Sequence, residues 1–243
     1  MITCWVEAAD WREGAVVLSR GESHHLVRVL RARPGEKVRL VDGAGRQADG
    51  VLDAADPHGA TVAIHAVRTA PPLRPRRILV QAPAKGSRMD WLLEKATEIG
   101  CDEIWPVMTA RAVSKVAPGE EERKRLRWEA VVRAACKQSG NPWCPRIALP
   151  AGFDECLARA AGRPALFGCL TPEAKPLKAT VREMLAGGAE EILVFIGPEG
   201  DFTEEETAKM LAAGVKPVTL GPTVLRVETA AVYTLSALAY EGN

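Results

Sequence analysis

The sequence predicts an α/β protein in two parts, a small β-rich barrel up to about Val67 and then a mostly parallel sheet covered by helices. Three observations point there. Strand-like runs dominate the first part, and they are too short and closely spaced to alternate with crossover helices. From Ile78 onward, apolar runs alternate with helical patterns, the order of a parallel sheet with helices on both faces. Near the C-terminus a strand–turn–helix unit occurs twice. Its glycine-rich turns are expected side by side at the carboxyl ends of neighbouring parallel strands, where open sheets of this class bind small ligands.

The composition bounds what this fold can serve. A chain of 243 residues that is 47% hydrophobic can bury one large core or two modest ones. Its formal net charge of +1 gives no bulk signal for a polyanion or a membrane surface. No apolar run approaches the ~20 residues of a membrane span. The stretch MITCWVEAADW carries acidic residues and no leader pattern, so the expected setting is cytoplasmic, without membrane attachment. The cysteines at 4, 101, 136, 144, 156 and 169 include no C-x-x-C pair, which argues for reduced thiols and against a metal site.

Within the first part, Ala15–Leu18, Lys37–Val41 and Thr61–Val67 have strand character, and Glu22–Leu30 is short and helix-like. Asp42-Gly43, Asp49-Gly50 and Pro57-His58-Gly59 carry turn chemistry. Gly43-Ala44-Gly45-Arg46-Gln47-Ala48 spells a dinucleotide fingerprint after a strand, but no helix follows, so a hairpin loop is the better reading. The run from Glu22 to Arg31 holds paired histidines and spaced arginines. It fits a helix with Leu26, Val29 and Leu30 on the core and solvated arginines, and equally a basic edge for phosphates.

Ala70 to Arg77, proline-rich and basic, reads as a semi-rigid linker over residues 71–77, which divides the chain into domains 1–70 and 78–243. Ile78–Ala82 is an apolar strand. Ser87 can cap the next helix with Asp90 at its third position. That helix turns Leu92, Ala96 and Ile99 inward, and Gly100 ends it. Ile104–Met108 is a strand, and Glu120–Gln138 is a charged helix with Leu126, Ala130, Val131 and Ala134 inward. Phe153–Ala161 is helical and Ala165–Leu170 a strand. Ile192–Ile196 is an unbroken apolar run, the pattern of a strand buried on both faces. Gly197-Pro198-Glu199-Gly200 stops it, and Thr203 with Glu206 forms a capping box for the following helix. Val218–Leu220 is a short strand, Gly221-Pro222 turns it, and Thr229–Tyr240 closes the chain as a helix.

Five segments resemble, in order, the motifs of the ribosomal RNA small subunit methyltransferase E family, 16S rRNA uridine N3-methyltransferases of the SPOUT superfamily. They are His24-His25-Leu26 with Val29-Leu30-Arg31, Lys85 to Gly100, Lys137-Gln138-Ser139, Ile196 to Gly200, and Leu220 to Ala230. The resemblance implies a PUA-like barrel followed by an α/β knot whose C-terminal chain threads a loop and shapes a cofactor pocket. It implies S-adenosylmethionine as methyl donor, 16S rRNA or the small ribosomal subunit as partner, and a homodimer that completes each site. The final helix offers Val232, Leu235, Leu238 and Ala239 as the face for such a dimer. The chain departs from the family pattern at Asp201, where a second glycine is usual, at Asn141-Pro142, where an arginine is frequent, and at its start, which lacks an early arginine.

Uracil N3 is protonated at neutral pH, so the chemistry needs a group that removes that proton and a cation that steadies the anion. Arg226 suits the second task and Glu228 the first. The alternative is an Arg–Glu pair that only fixes the turn. Gly197, Gly200 and Gly221 allow backbone to approach the cofactor, and Leu170, Leu220 and Leu225 supply apolar walls. Glu199 is either a ligand contact or a turn carboxylate. His25, Arg28, Arg31, Lys85 and Arg88 are the expected RNA contacts. A SPOUT enzyme acting on another base or on ribose 2′-oxygens, or a non-catalytic ribosomal RNA-binding protein, are the alternatives.

Overall fold

A computed structural model describes residues 1–171 and 174–242. By its internal contacts the chain separates into two compact units, Met1–Pro72 with Arg133–Cys144, and Leu73–Val132 with Pro145–Asn243.

The first unit is a mixed sheet of β1 (Ile2–Trp5), β2 (Ala15–Val17), β3 (Lys37–Val41), β4 (Arg46–Ala54), β5 (Thr61–Ile64) and β6 (Arg68–Thr69), with α1 (Arg20–His24) between β2 and β3. The ladder runs β1-β3-β4-β5-β2, with β6 on β4. The β1–β3 pair is parallel and the others are antiparallel. One face closes over Val16, Leu26, Val38, Leu40, Leu52 and Val62, all fully buried. Ser19 caps α1 by accepting from the Glu22 amide, and a π-turn over His25–Val29 continues the helix.

Residues 42–45 form the β3–β4 hairpin connection, as their turn chemistry suggests, and Arg46 to Ala48 begin β4. Both glycines there have positive φ, 74° at Gly43 and 92° at Gly45. A Cβ on Gly43 would lie 2.2 Å from the Trp5 ring, and one on Gly45 would lie 2.4 Å from the Trp143 ring. These glycines make room for indoles, which is why the spacing imitates a phosphate loop. Asp49-Gly50 is not a turn but the middle of β4. A Cβ on Gly50 would sit 2.4 Å from the Ala63 carbonyl, and Asp49 accepts from Arg39 at 2.8 Å and Arg68 at 2.7 Å.

The second unit is an all-parallel sheet with helices. In order it comprises β7 (Arg76–Gln81), α2 (Ser87–Ile99), β8 (Glu103–Met108), α3 (Glu121–Ser139), β9 (Arg146–Ile147), β10 (Ala151–Gly152), α4 (Phe153–Ala160), β11 (Ala165–Gly168), β12 (Lys175–Pro176), α5 (Leu177–Ala186), β13 (Glu191–Ile196), α6 (Glu204–Ala212), β14 (Lys216–Thr219) and α7 (Val227–Gly242). The division between units falls inside α3, whose last residues group with the first unit. The sheet order is β10-β8-β7-β13-β11-β14-β12, with β9 on β8. The central β7 and β13 are covered on both faces, which explains their continuous apolar runs.

Several expectations need correction. Arg76 and Arg77 are strand residues and not linker: Arg77 is 1% exposed, and its Nη1 donates to the Ile99 carbonyl at 2.7 Å, where a cation meets the end of α2. Ser87 does not cap α2. Gly86 holds that position without a side-chain bond, while Gly100 ends the helix at φ 85°. The inward stripe of α3 is Trp128, Val132, Ala135 and Cys136, and Leu126 faces outward. Arg133–Cys144, placed by the sequence in the second domain, belongs to the first unit, where Lys137 Nζ meets Glu22 Oε1 at 2.7 Å. Asn141 is a turn residue there, its Oδ1 accepting from the Trp143 amide at 2.9 Å. The dimer face read on α7 is covered within its own unit: Leu235 and Leu238 are 0% exposed, and α7 packs on α2, α5, β7 and β13. Trp91 and Tyr233 are large side chains that α2 and α7 leave exposed.

The amino ends of the strands are tied by charge. Arg76 reaches Glu103 at 2.6 Å and Glu191 at 3.3 Å, and Arg163 reaches Glu191 at 2.7 Å. The hydrogen bonds from Arg163 hold the Glu191 carboxyl below the usual carboxylate range, against the opposing pull of burial, and Arg76 adds to the effect. A depressed folded-state value stabilises above the unfolded pKa and is lost as pH falls through the folded one. Glu191→Gln should therefore cost about 1–2 kcal/mol at pH 7, shrinking towards zero as the pH falls through the lowered folded-state value of Glu191. Denaturant melts at several pH values check this, and a gap independent of pH would refute it.

Candidate active site

In a parallel sheet every strand delivers its turn to the same edge. Here the turns after β11, β13 and β14 enclose a cavity of about 510 Å³. The two glycine turns do not follow neighbouring strands as expected. β11 lies between β13 and β14, so a third strand end contributes Gly168, Cys169 and Leu170 to the wall. Gly168 and Cys169 had no motif to mark them. A Cβ on Gly168 would sit 3.3 Å from Leu220 Cδ1, so that glycine lets the β14 turn close down on β11.

The turn after β13 is held from below. Phe202 is buried and packs against Phe153 and Phe167, with ring centroids 6.0 and 6.4 Å apart. A Cβ on Gly197 would lie 3.1 Å from the Phe202 ring, so the missing side chain serves the core more directly than the cavity. From the side, Arg111 Nη1 donates to the carbonyl of Gly200 at 3.0 Å. Glu206 ties the capping box to the segment after β8, accepting from the amides of Ala110 at 2.9 Å and Thr203 at 2.8 Å. Gly221, at φ 124°, has open space where a Cβ would point, and its amide donates to Thr219 Oγ1 at 3.3 Å.

Leu170, Gly197, Glu199, Gly200, Leu220, Gly221 and Leu225 all line the cavity, together with Arg226 and Glu228. Arg226 directly precedes α7, and its carbonyl accepts from Ala230 at 2.8 Å. Its guanidinium is exposed and makes no ion pair among the described residues. Glu228 lies in the first turn of α7, its side chain 13% exposed. Arg88 is also in the wall, 3.8 Å from Glu199 and 3.9 Å from Glu228, so it bridges the two carboxylates. His25, Arg28 and Arg31 are exposed on the first unit, with Arg31 at φ 55°, and Lys85 is exposed at the turn before α2. Among the described residues no cluster of His, Cys, Asp and Glu is placed to hold a metal ion, and no helix is long and apolar enough to cross a membrane.

An RNA methyltransferase domain family matches residues 72–239, and an RNA methyltransferase PUA domain family matches residues 18–64. A ribosomal RNA small subunit methyltransferase E from Mycobacterium bovis is 33% identical over 93% of this chain and 86% of its own length. The chain belongs to the ribosomal RNA small subunit methyltransferase E family. The Bacillus subtilis member is 26% identical over 90% of the chain and 88% of its own length. The structure of the Neisseria gonorrhoeae member bound to S-adenosyl methionine superposes with a TM-score of 0.87 at 29% identity, covering 99% of this chain and 98% of that one. A Legionella pneumophila methyltransferase with bound SAM gives 0.83 at 27% identity, covering 100% and 98%. The fold is thus the SPOUT-like methyltransferase sheet with a PUA-like sheet before it.

The residues present fit S-adenosylmethionine. The volume lies in the range of small-molecule pockets. Glycine turns expose backbone polar groups, leucines give apolar wall for a nucleoside, and carboxylates face a ligand that carries two positive centres. Gly197→Val should displace Phe202 and the whole turn. We expect cofactor affinity to fall at least about tenfold and the melting temperature to drop with it. Titration calorimetry and thermal melts check both, and an unchanged affinity would remove this turn from the site.

Proposed function

We propose that the chain transfers a methyl group from S-adenosylmethionine to N3 of a uridine in 16S ribosomal RNA. The observation that carries the reading is the meeting of Arg226 and Glu228 at one wall of a cavity built from three strand-end turns. Bound there, the cofactor supplies a methyl already activated on a sulfonium, so the protein's work is positioning and proton removal. The backbone of the turns at Gly197, Gly200 and Gly221 holds the cofactor, and Leu170, Leu220 and Leu225 exclude water from it. Arg226, unpaired among the described residues, steadies the negative charge that develops on a uracil oxygen. Glu228 accepts the N3 proton and passes it to solvent. Arg88, beside Glu228, fixes the direction of that carboxylate. This gives Arg88 a task next to its expected contact with RNA.

His25, Arg28, Arg31 and Lys85 are proposed to neutralise RNA phosphates, because all are exposed cations or potential cations with no ion pair among the described residues. The working form is a homodimer in the cytoplasm, with Trp91 and Tyr233 as exposed anchors on α2 and α7.

Mass mapping of nucleosides in small-subunit RNA after incubation with enzyme and cofactor tests the target, and a methyl on ribose would move the reading to 2′-oxygen chemistry. Arg226→Ala should lower kcat about 10²- to 10³-fold while cofactor affinity stays within about threefold. Single-turnover rates with calorimetry check this, and a loss confined to cofactor binding would count against it. The double substitution Arg28→Ala, Arg31→Ala should reduce the salt slope of RNA binding by about 0.7–0.9 per lost phosphate contact. Filter binding across salt reads the slope, and an unaltered one would return both arginines to solvent.

A further inference from the structure

Asp201 occupies a backbone position that favours glycine. Its φ is 60°, in the left-handed region that most side chains avoid and that Asp and Asn tolerate through local hydrogen bonds. It closes the turn after β13, with its amide donating to the Pro198 carbonyl at 2.9 Å and its Oδ1 accepting from the Phe202 amide at 2.8 Å. An amide oxygen would serve that second bond as well, and a glycine would adopt the φ more easily. The turn therefore needs neither the carboxylate's charge nor its side chain, yet the residue lines the cavity.

Among the described residues, five charged side chains line that cavity: Arg88 and Arg226 against Glu199, Asp201 and Glu228. These five sum to one net negative charge with Asp201, and to zero without it. S-adenosylmethionine has a sulfonium, an ammonium and a carboxylate, for a net of about +1 near neutral pH. When the methyl passes to uracil N3 and the N3 proton goes to Glu228, the S–CH3 bond breaks with its electron pair left on sulfur. The remaining thioether, S-adenosylhomocysteine, is neutral overall. Donor and spent product thus differ by a methyl and by one unit of charge, and charge is the larger handle. A cavity of about 510 Å³ keeps any occupant within a Debye length of its wall, about 10 Å at 0.1 M salt.

We propose that Asp201 is a specificity residue that makes this cavity hold the methyl donor in preference to the demethylated product. The proposal rests on the reading of the cavity as the S-adenosylmethionine site. It gives the wall a way to attract the charged donor and to relax its hold once the methyl has left.

The test is calorimetric titration of the full chain with S-adenosylmethionine and S-adenosylhomocysteine, for the wild type, Asp201→Asn and Asp201→Gly. Asn keeps the bond to Phe202 and Gly keeps the φ, so each variant preserves one half of the turn's geometry. The ratio of product Kd to donor Kd should fall about two- to fivefold in both variants, through weaker donor binding, and the change should shrink as salt is raised. An unchanged ratio in Asp201→Asn, or equal weakening of both ligands, would overturn the proposal. A wild type that binds neither ligand would instead overturn the cofactor reading itself.

Discussion

The seat of Phe202 over Gly197 is the contact on which the cavity depends. It joins the hydrophobic core to the turn after β13, because the ring packs against Phe153 and Phe167 while the residue directly follows Asp201, whose amide closes the turn on the Pro198 carbonyl. The turn is consequently as rigid as the core beneath it. Arg111 and Glu206 brace it from the side, and Glu206 also links it to the segment after β8. Under the proposed reading, in which backbone groups hold the cofactor, this stiffness matters, since backbone donors cannot adjust by rotating a side chain.

The two edges of the parallel sheet have been given different tasks. At the amino edge, Arg76, Arg163, Glu103 and Glu191 pair with one another, and their charges are satisfied inside the fold. At the carboxyl edge the charges are left incompletely matched. Arg88 bridges Glu199 and Glu228 at 3.8 and 3.9 Å, and Arg226 makes no ion pair among the described residues. That imbalance leaves groups with which a ligand can pair.

Much of this was legible in the sequence, and the gaps have physical causes. The strand at Ile192–Ile196 and the capping box at Thr203 were readable because burial on both faces and cap chemistry are local demands. The cavity residues named from the two glycine turns do surround one space, since glycine and proline mark turns plainly. The order β13-β11-β14 was not readable, because strand neighbours are chosen by pairing across the chain and leave no local mark. For the same reason Gly168 and Cys169 were overlooked. The phase of α3 was misjudged because its charges are so dense that several stripes look equally apolar, and only packing selects Trp128 over Leu126. Gly43 and Gly45 imitate a phosphate loop, which the lack of a following helix already set aside in favour of a hairpin, since a slot for an indole and a slot for a phosphate need the same missing side chain.

The pairing of β7 with β13 has a consequence for how the cavity comes into being. Arg76 and Glu191, bonded across the first rung, are 115 residues apart. Closing so long a loop costs entropy before any contact repays it, and parallel pairings of this kind slow the search for the native state. The β13 turn cannot take its place until that closure is made, and neither can the segment that carries Arg226 to α7. The carboxyl edge therefore depends on a pairing of long sequence separation, and no contiguous fragment that lacks either partner strand contains it.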